Sequence, residues 1–527
     1  MELATNSPTL DPLPASIPII DVHTHTFNAR YLPLEGILLG KRDTYPPITT
    51  LITDGESKII SKALIDQTAL GPAGNQPGIA RSEGLASERN PGPHGLIVEI
   101  FLHLIDLGVK EGAWDPTKTH LEQLEVITRI AEDMNASQRV AVRTAAHMMG
   151  MEESSGDDKQ GPGTVSGVVA AVRFLWMLTQ SDAEMMEIFR EMYKTVPKKG
   201  EITLVSHMMD LAPVYDQIPD GQTLLDLPSQ QVRRMEYFQG ASSSNLLYFV
   251  AYCPYRIPNA MPSGGLEVVR DAILQHHARG VKFYPPSGYR PADNHVRPRP
   301  YTLSTTAPGR QWDRRYTAFG PDKDVALEAE VNRMLEWCMD QDIPVFVHSG
   351  YGQFEARKGY GEYHSNPKFW RQFLEKHSCP GKPCTLRLCL GHAGGEDFWF
   401  GTGTHADWGQ CVFDLCTHYP NVYCEITTSE KMVMAKSQAY FVEQMTRLFK
   451  ESNASAMSAD PLHPRYPFCK KLMYGTDWYL PSQGEPSAVL LSTQRAFLSC
   501  GLRDAYADYF SGNASRFLKL EPAAATR

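Results

Sequence analysis

Ile17-Pro18-Ile19-Ile20-Asp21-Val22-His23-Thr24-His25 is an apolar run that ends in two histidines two positions apart. A run of this length and composition predicts a buried strand. Because residues two apart in a strand point to the same face, we expect His23 and His25 to reach one metal ion together. Taken alone, the His-Thr-His triplet is as typical of ordinary surface histidines as of a metal site. The sequence that follows it decides between the two interpretations.

Short apolar runs alternate with helical patterns from residue 201 onward. The runs are EITLVSH (201–207), LLYFVAYCP (246–254), GVKFYPP (280–286), IPVFVHSG (343–350), LRLCLGHAGG (386–395), NVYCEIT (421–427) and KLMYGTD (471–477). Alternation of strands with helices predicts parallel βαβ units. Together with the strand at 17–22 they number about eight, which predicts an α/β fold of the (β/α)8 TIM barrel type. A doubly wound open sheet is the alternative architecture.

A long segment separates the first two predicted strands. Residues 29–95 are rich in Gly, Pro, Ser and Thr and predict loops. Helical patterns such as HLEQLEVITRIAEDM (120–134) then dominate to about residue 197. We therefore predict one barrel domain built from residues 17–25 and 201–520. Residues 26–200 form a large, loop-rich and mostly helical insertion that caps the barrel or makes a subunit interface.

Composition narrows the classes of function. The formal net charge of −9 and the lack of a long basic run disfavour nucleic acid as a partner. The first residues lack the pattern of a secretory signal, and no stretch approaches the roughly 20 apolar residues of a membrane span. The ten cysteines form no paired clusters of the zinc-finger type, which favours free thiols and a reducing compartment. We expect a cytoplasmic protein that acts on a small molecule.

Residues that can bind a metal stand at the ends of several predicted strands. His348 closes PVFVH, His392 closes LRLCLGH, Asp477 closes LMYGTD, and Lys282 lies inside GVKFYP. In a (β/α)8 barrel the strand ends meet at the C-terminal mouth, where active sites lie. Imidazoles and a carboxylate around one cation suit zinc or another borderline divalent metal. Each of these residues alone is typical of a hydrogen-bonded side chain in the core or at the rim of a barrel. The complete series at successive strand ends is a more specific indication of a metal site.

The order His-x-His, Lys, His, His, Asp over successive strands resembles the amidohydrolase superfamily. It is most similar to the amidohydrolase-related branch that includes aminocarboxymuconate-semialdehyde decarboxylase. The matching phrases are IIDVHTH, GVKFYPPSGY, IPVFVHSG, GHAGG, NVYCEIT, YGTDW and GNASRFLKL. They cover residues 17–25 and about 246–520, so the insertion lies outside the resemblance. Members of this branch are often homo-oligomers, and the resemblance implies a homodimer.

The resemblance also implies the ligands of a metal centre. His392 matches a histidine that polarises substrate in mononuclear members and binds a second metal in dinuclear members. Lys282 matches a lysine that is carboxylated in dinuclear dihydroorotases and structural elsewhere in the branch. The cofactor is then zinc, or another divalent metal such as manganese, with one or two ions per chain. Four residues match the usual mononuclear set: His23, His25, His348 and Asp477.

Two reactions use a site of this kind. In a hydrolase, a metal-bound hydroxide cleaves an amide, lactam, ester or lactone-type bond, with Asp477 moving the proton and His392 stabilising the oxyanion. In a non-oxidative decarboxylase, the same ligands serve the release of carbon dioxide from an aromatic or unsaturated carboxylic acid. The ligands alone do not separate the two. A third hypothesis is a non-catalytic binding or scaffolding barrel, against which the retained ligand set argues.

Four further residues are candidates for substrate binding. Arg256, in CPYRIP after the third strand, suits a substrate carboxylate. His207 ends the second strand and either lines the pocket or packs in the core. Tyr289 and Trp478 follow two of the site strands, where aromatic side chains suggest an aromatic or apolar wall. Core packing explains such aromatic residues equally well. We expect a small substrate that bears a carboxylate or an aromatic ring.

Overall fold

The computed structural model of the chain describes most of the predicted barrel and part of the predicted insertion. The described residues are 17–26, 120–134, 176–178, 180, 182–194, 202–215, 226–241, 245–256, 265–294, 307–351, 354–357, 359–427, 430–460, 463–478, 486–499 and 503–520. The loops predicted over 29–95 lie outside these ranges. Most of the helix-like pattern before residue 180 lies outside them too.

Eight parallel strands form one sheet in chain order. They are β1 (Ile19–Thr24), β2 (Ile202–His207), β3 (Leu246–Tyr252), β4 (Gly280–Phe283), β5 (Val345–His348), β6 (Leu388–Gly391), β7 (Val422–Thr427) and β8 (Leu472–Gly475). The last strand returns to the first, since the N–H of Asp477 donates to the carbonyl of His23 at 2.7 Å and Thr24 pairs with Trp478. The predicted (β/α)8 barrel is therefore confirmed, and the open sheet is not formed.

Helices connect the strands along the chain. They are α1 (His120–Asp133), α2 (Asp182–Lys194), α3 (Ala212–Tyr215), α4 (Asp226–Ala241), α5 (Gly265–Gln275), α6 (Ala307–Thr317), α7 (Lys323–Asp340), α8 (Tyr360–His364), α9 (Lys368–Lys376), α10 (Asp397–Phe400), α11 (Ala406–His418), α12 (Ala435–Met457), α13 (Pro486–Ser499), α14 (Arg503–Ala507) and α15 (Asn513–Leu518). The helical pattern at 120–134 is confirmed as α1. None of the helices in these ranges is both long and apolar enough to span a membrane.

Alternation along the strands separates two layers of buried side chains. One face of each strand packs in a large cluster with the helices. The other face fills the barrel, together with side chains of α15. The ring of Phe517 on α15 lies 6.1 Å from Phe249 and 5.6 Å from Tyr423. Because Asn513 also donates to the carbonyl of Leu472, where β8 begins, α15 closes the N-terminal end of the barrel.

Part of the predicted insertion contacts the barrel. The hydroxyl of Tyr193, on α2, lies 3.1 Å from the hydroxyl of Tyr474 on β8. The ring of Phe189, also on α2, meets the ring of Trp478 edge to face at 4.8 Å. Helix α2 therefore packs beside the last strand and the segment that follows it. The role of residues 26–200 as a cap or a subunit interface stays a prediction.

Candidate metal centre

Three ligand-type side chains converge where the first and last strands meet. Oδ1 of Asp477 lies 3.0 Å from Nε2 of His25 and 3.2 Å from Nε2 of His23. All three side chains are buried. One donor atom from each lies within 4.8 Å of the others, which is the spacing of atoms that share one cation. The structure thus brings together three of the four residues predicted for a mononuclear site.

The end of β1 is irregular, and this places His23. The pairing of β1 with β2 changes register between Asp21 and Thr24. Val22 points into the barrel, so strict alternation would turn His23 to the opposite face. The ring of His23 nevertheless lies 4.6 Å from Phe346, inside the barrel. The irregularity therefore lets two successive side chains face the interior, as bulges near active sites often do.

Both histidines of β1 are held through Nδ1. Nδ1 of His25 lies 2.9 Å from the carbonyl of His207 and can only donate to it. Nδ1 of His23 lies 3.0 Å from Oε2 of Glu425 on β7. When Nδ1 carries the proton, Nε2 keeps its lone pair for a metal. Both Nε2 atoms therefore face Asp477 as potential ligands.

The protonation states of these groups suit a cation. Burial lowers the pKa of His23 and His348 well below the ordinary value, with a further contribution from neighbouring histidines and Lys282. Burial alone would raise the pKa of Asp477, but its contact with His25 and the positive charge of the nearby Lys282 hold it below the ordinary value. Neutral imidazoles and an ionised carboxylate are the forms that bind divalent metals.

Two further histidines face the same space. His348 follows Phe346 by two positions on β5 and shares its inward face. Its Nε2 is buried and has no hydrogen-bond partner among the described residues. The rings of His348 and His392 are 4.5 Å apart, and Nε2 of His392 lies 4.0 Å from Oδ2 of Asp477. Burial lowers the pKa of His392 to about 4.

The side chain of Lys282 reaches the same centre from β4. Its Nζ lies 3.0 Å from Nε2 of His23 and 4.6 Å from the centroid of the Phe346 ring. Burial lowers the pKa of this amine to about 8, although the carboxylates of Asp477 and Glu425 oppose the shift. The amine of Lys282 therefore lies in contact with Nε2 of His23, the nitrogen that we expect to bind the metal.

The donor set fits a divalent cation. Neither carboxylate oxygen of Asp477 has a hydrogen-bond partner of good geometry among the described residues, although the side chain is buried. A buried carboxylate without donors is costly unless a cation balances it. Three nitrogen and oxygen donors with His348 beside them match the ligands that zinc and similar metals use.

The backbone is strained at two of these positions. His392 has a φ of 60°, the following Ala393 has 44°, and Asp477 has 54°. Residues other than glycine rarely adopt this left-handed conformation, and the cost is of order 1–3 kcal/mol each. Such strain persists where the surroundings hold it, and it is concentrated at functional sites. It coincides here with the ends of β6 and β8.

The structure pairs Arg256 with an acidic residue. Its Nε donates to Oδ2 of Asp210 at 2.5 Å and its Nη2 donates to Oδ1 at 2.7 Å. Both side chains are almost fully buried. This two-pronged contact ties the loop after β3 to the loop after β2. The guanidinium edge that we predicted for a substrate carboxylate is therefore occupied by Asp210.

The other three predicted substrate contacts are also buried. Nε2 of His207 lies 2.7 Å from the carbonyl of Val22, and its ring lies 4.3 Å from Phe346. The hydroxyl of Tyr289 donates to the carbonyl of Tyr252 at 2.7 Å. Trp478 directly follows Asp477 and packs against α2, as described above. Their roles in substrate binding stay predictions.

Sequence reasoning missed one residue of this centre. Glu425 lies on β7, is fully buried, and contacts His23. It lies within NVYCEIT, which we interpreted only as a strand and not as a source of site residues. The signal was present, since a carboxylate in an otherwise buried strand is rare unless it has a partner. Its partner, however, comes from a strand about 400 residues earlier in the chain.

Comparison with known proteins gives a family match over the second half of the chain. Residues 275–520 match a family model described as amidohydrolase. No curated protein sequence matches the chain. The match covers β4 to β8 and the helices up to α15, and it includes Lys282, His348, His392 and Asp477.

Several solved structures are similar at low identity. One is a probable 2-pyrone-4,6-dicarboxylic acid hydrolase from Acinetobacter baumannii, with 11% identity, a TM-score of 0.32, and coverage of 63% of this chain and 88% of that chain. Another is 2,6-dihydroxybenzoate decarboxylase from Rhizobium, with 12% identity, a TM-score of 0.35, and coverage of 61% and 85%. A third is 5-carboxyvanillate decarboxylase from Novosphingobium aromaticivorans with bound manganese, with 9% identity, a TM-score of 0.39, and coverage of 76% and 94%. At these scores the similarities carry no argument about the reaction of this chain.

Proposed function

Residues 275–520 of this chain belong to the amidohydrolase superfamily, and from that premise we propose that the protein is a metal-dependent hydrolase. Its cofactor is zinc or another divalent metal such as manganese. Its reaction is the hydrolysis of an amide, lactam, ester or lactone-type bond in a small substrate. The observation that carries the proposal is the buried carboxylate of Asp477, 3.0 and 3.2 Å from the metal-facing nitrogens of His25 and His23.

The metal would be held by His23, His25 and Asp477, with His348 beside them. When bound, such a cation lowers the pKa of water and polarises the bond to be cleaved. Asp477 is the base, because its carboxylate is ionised and neither oxygen has another hydrogen-bond partner among the described residues. It takes a proton from the attacking water and returns it to the leaving group.

His392 assists Asp477 in handling protons. Its Nε2 lies 4.0 Å from Oδ2 of Asp477, so both groups can face one water molecule or one substrate oxygen. The ring is neutral at rest because burial lowers its pKa to about 4. Once protonated, it donates from Nε2 to the oxyanion that forms during cleavage.

Lys282 bears on the number of metal ions. Its amine lies 3.0 Å from Nε2 of His23. We propose that, if two ions bind, the second would be held by His392 and by Lys282 after its amine has added carbon dioxide and lost a proton to form a carbamate. One ion per chain is the alternative, with Lys282 as a positive neighbour of Asp477 and Glu425.

Decarboxylation is the second candidate, since it uses the same ligands. Its substrate must carry a carboxylate, which calls for a cationic partner in the pocket. The guanidinium of Arg256, which we predicted to bind a substrate carboxylate, donates to Asp210 instead. Because we expect a carboxylate or an aromatic ring on the substrate of a hydrolase as well, this contact does not separate the two reactions.

The test is an activity screen of the metal-loaded protein. It measures hydrolysis of small lactones, lactams, esters and amides, and carbon dioxide release from aromatic acids. We expect hydrolysis without carbon dioxide, and a loss of about 10²-fold or more in Asp477→Asn. The matched control is Asp342→Asn, which changes a half-exposed surface aspartate. Stoichiometric carbon dioxide would favour the decarboxylase, and full activity in Asp477→Asn would contradict both reactions.

A further inference from the structure

Glu425 is a carboxylic acid residue buried inside the barrel next to the candidate metal centre, where acidic side chains are uncommon. It lies on β7 between Tyr423 and Thr427, and all three side chains point into the barrel because they alternate with Cys424 and Ile426, which face the helices. Its side chain is fully buried. A buried carboxylate requires donors, and the donors here are His23, His392 and the hydroxyl of Thr427.

The first contact is with His23. Nδ1 of His23 lies 3.0 Å from Oε2 of Glu425. The same oxygen accepts the backbone N–H of His392, so Oε2 is the acceptor in the contact with His23 as well. The proton of the neutral ring is therefore on Nδ1. Nε2 then carries the lone pair, and it lies 3.2 Å from Oδ1 of Asp477. The carboxylate thus sets both the tautomer and the direction of the metal-facing atom.

The second contact is with His392 and involves Thr427. The backbone N–H of His392 donates to Oε2 of Glu425 at 3.4 Å. Nδ1 of His392 lies 2.7 Å from Oγ1 of Thr427, and that hydroxyl donates to Oε2 of Glu425 at 3.5 Å. These bonds are consistent only when Nδ1 of His392 carries the proton. The same carboxylate oxygen therefore fixes His392 by its backbone and, through Thr427, by its ring.

The neighbouring strand leaves room for this side chain. A Cβ added to Gly475 on β8 would lie 2.5 Å from Cγ of Glu425 and 2.7 Å from its carboxyl carbon. Real Cβ atoms do not approach other atoms so closely, so any larger residue at 475 would displace the carboxylate. The absence of a side chain at Gly475 is thus what allows Glu425 to reach both histidines.

We propose that Glu425 is the shared positioning residue of this centre, which holds His23 and His392 with Nε2 free of hydrogen and directed at Asp477. The purpose of this positioning rests on the proposed metal-dependent function. The tautomers of His23 and His392 that Glu425 fixes are present in the metal-free protein as well. Ligand histidines whose other nitrogen is bound by a carboxylate are better oriented and more basic, and loss of that partner typically costs 10–100-fold in metal affinity.

The test compares four full-length variants with the wild type in two measurements. The first measurement is the zinc affinity by competition with a chromophoric chelator. The second is the set of imidazole N–H resonances of metal-free protein labelled with ¹⁵N-histidine, in which His23→Ala and His392→Ala assign the two rings. The variants that probe the network are Glu425→Leu, Glu425→Gln, Thr427→Val and Gly475→Ala.

Each variant has its own expected result. Glu425→Leu should lose the Nδ1–H resonance of His23 and bind zinc 10–100-fold more weakly. Glu425→Gln keeps an accepting oxygen without the charge, so we expect the resonance to shift and the affinity to fall about fivefold. Thr427→Val should alter only the resonance of His392. Gly475→Ala should resemble Glu425→Leu, because it displaces the carboxylate without changing it.

The two proposals fail in distinguishable ways. If the wild type binds no zinc but its His23 resonance disappears in Glu425→Leu, the positioning role stands and the metal-dependent function is wrong. If zinc binds equally to the wild type and to folded Glu425→Gln and Glu425→Leu, the positioning role is wrong and the metal site stands. Should Glu425→Leu fail to fold, an unchanged resonance and affinity in Glu425→Gln and Gly475→Ala would overturn the proposal.

Discussion

Asp21 on the first strand accepts two hydrogen bonds from Thr476, which follows the last strand. The N–H of Thr476 donates to Oδ1 at 3.1 Å and its hydroxyl donates to Oδ2 at 2.7 Å. The N–H of His23 donates to the same Oδ1 at 3.2 Å. Because Thr476 directly precedes Asp477, one buried carboxylate holds two candidate metal ligands together at the closure of the barrel.

Asp21→Ala should weaken this closure. It removes both acceptor oxygens and leaves the buried N–H groups of His23 and Thr476 without their acceptor, at a cost of about 1–3 kcal/mol. The free energy of unfolding of the metal-free protein, measured in denaturant, is expected to fall by that amount. The control Asp342→Asn removes two surface ion pairs, with Arg387 and Lys519, and should cost about 1 kcal/mol. Equal stability of the two variants would contradict the role of Asp21.

Arg256 is expected to matter for stability more than for substrate binding. Its two bonds to Asp210 are buried, and removal of one partner of such a pair typically costs 3–5 kcal/mol. Arg256→Met should therefore lower the free energy of unfolding by that amount. The double variant Arg256→Met with Asp210→Leu should recover much of it, since it leaves no unpaired charge. If Arg256→Met is stable and only KM rises, the predicted contact with a substrate carboxylate is correct.

Lys471 gives a prediction for the pH dependence of stability. Burial lowers its pKa to about 8 from 10.5, while its Nζ donates to the carbonyls of Tyr419 and Pro420. Between these two values the unfolded chain holds a proton that the folded chain has released, so stability gains from rising pH. The stability of the wild type relative to Lys471→Met should rise by up to about 3 kcal/mol from pH 8 to pH 10.5. Denaturant unfolding at several pH values measures the difference, and a constant difference would refute this origin.

The barrel could be predicted from the sequence because it depends on local patterns. Each of the eight apolar runs became a strand, since a parallel strand buried on both faces reads as a continuous apolar segment. The convergence of His23, His25 and Asp477 followed from the rule that strand ends meet at one mouth. These inferences needed only the type and order of the elements.

The remaining features depend on tertiary contacts that no local pattern encodes. The pairing of Arg256 with Asp210 joins residues 46 positions apart, and the contact of Glu425 with His23 joins residues 402 positions apart. The register change in β1 depends on the pairing with β2 and not on the spacing of the histidines. Such features become visible only when the strands are placed side by side.

The most direct test of the central claim is the metal content of the purified protein and of three variants. The wild type is expected to hold about one or two zinc or manganese ions per chain. Asp477→Asn and His23→Ala should hold none, because a catalytic site has few protein ligands and each of them is needed to retain the metal. The matched control is His276→Ala, whose histidine pairs with Glu236 away from the centre and should retain the wild-type content. If neither the wild type nor the control contains or takes up a divalent metal, the protein is not a metal-dependent hydrolase.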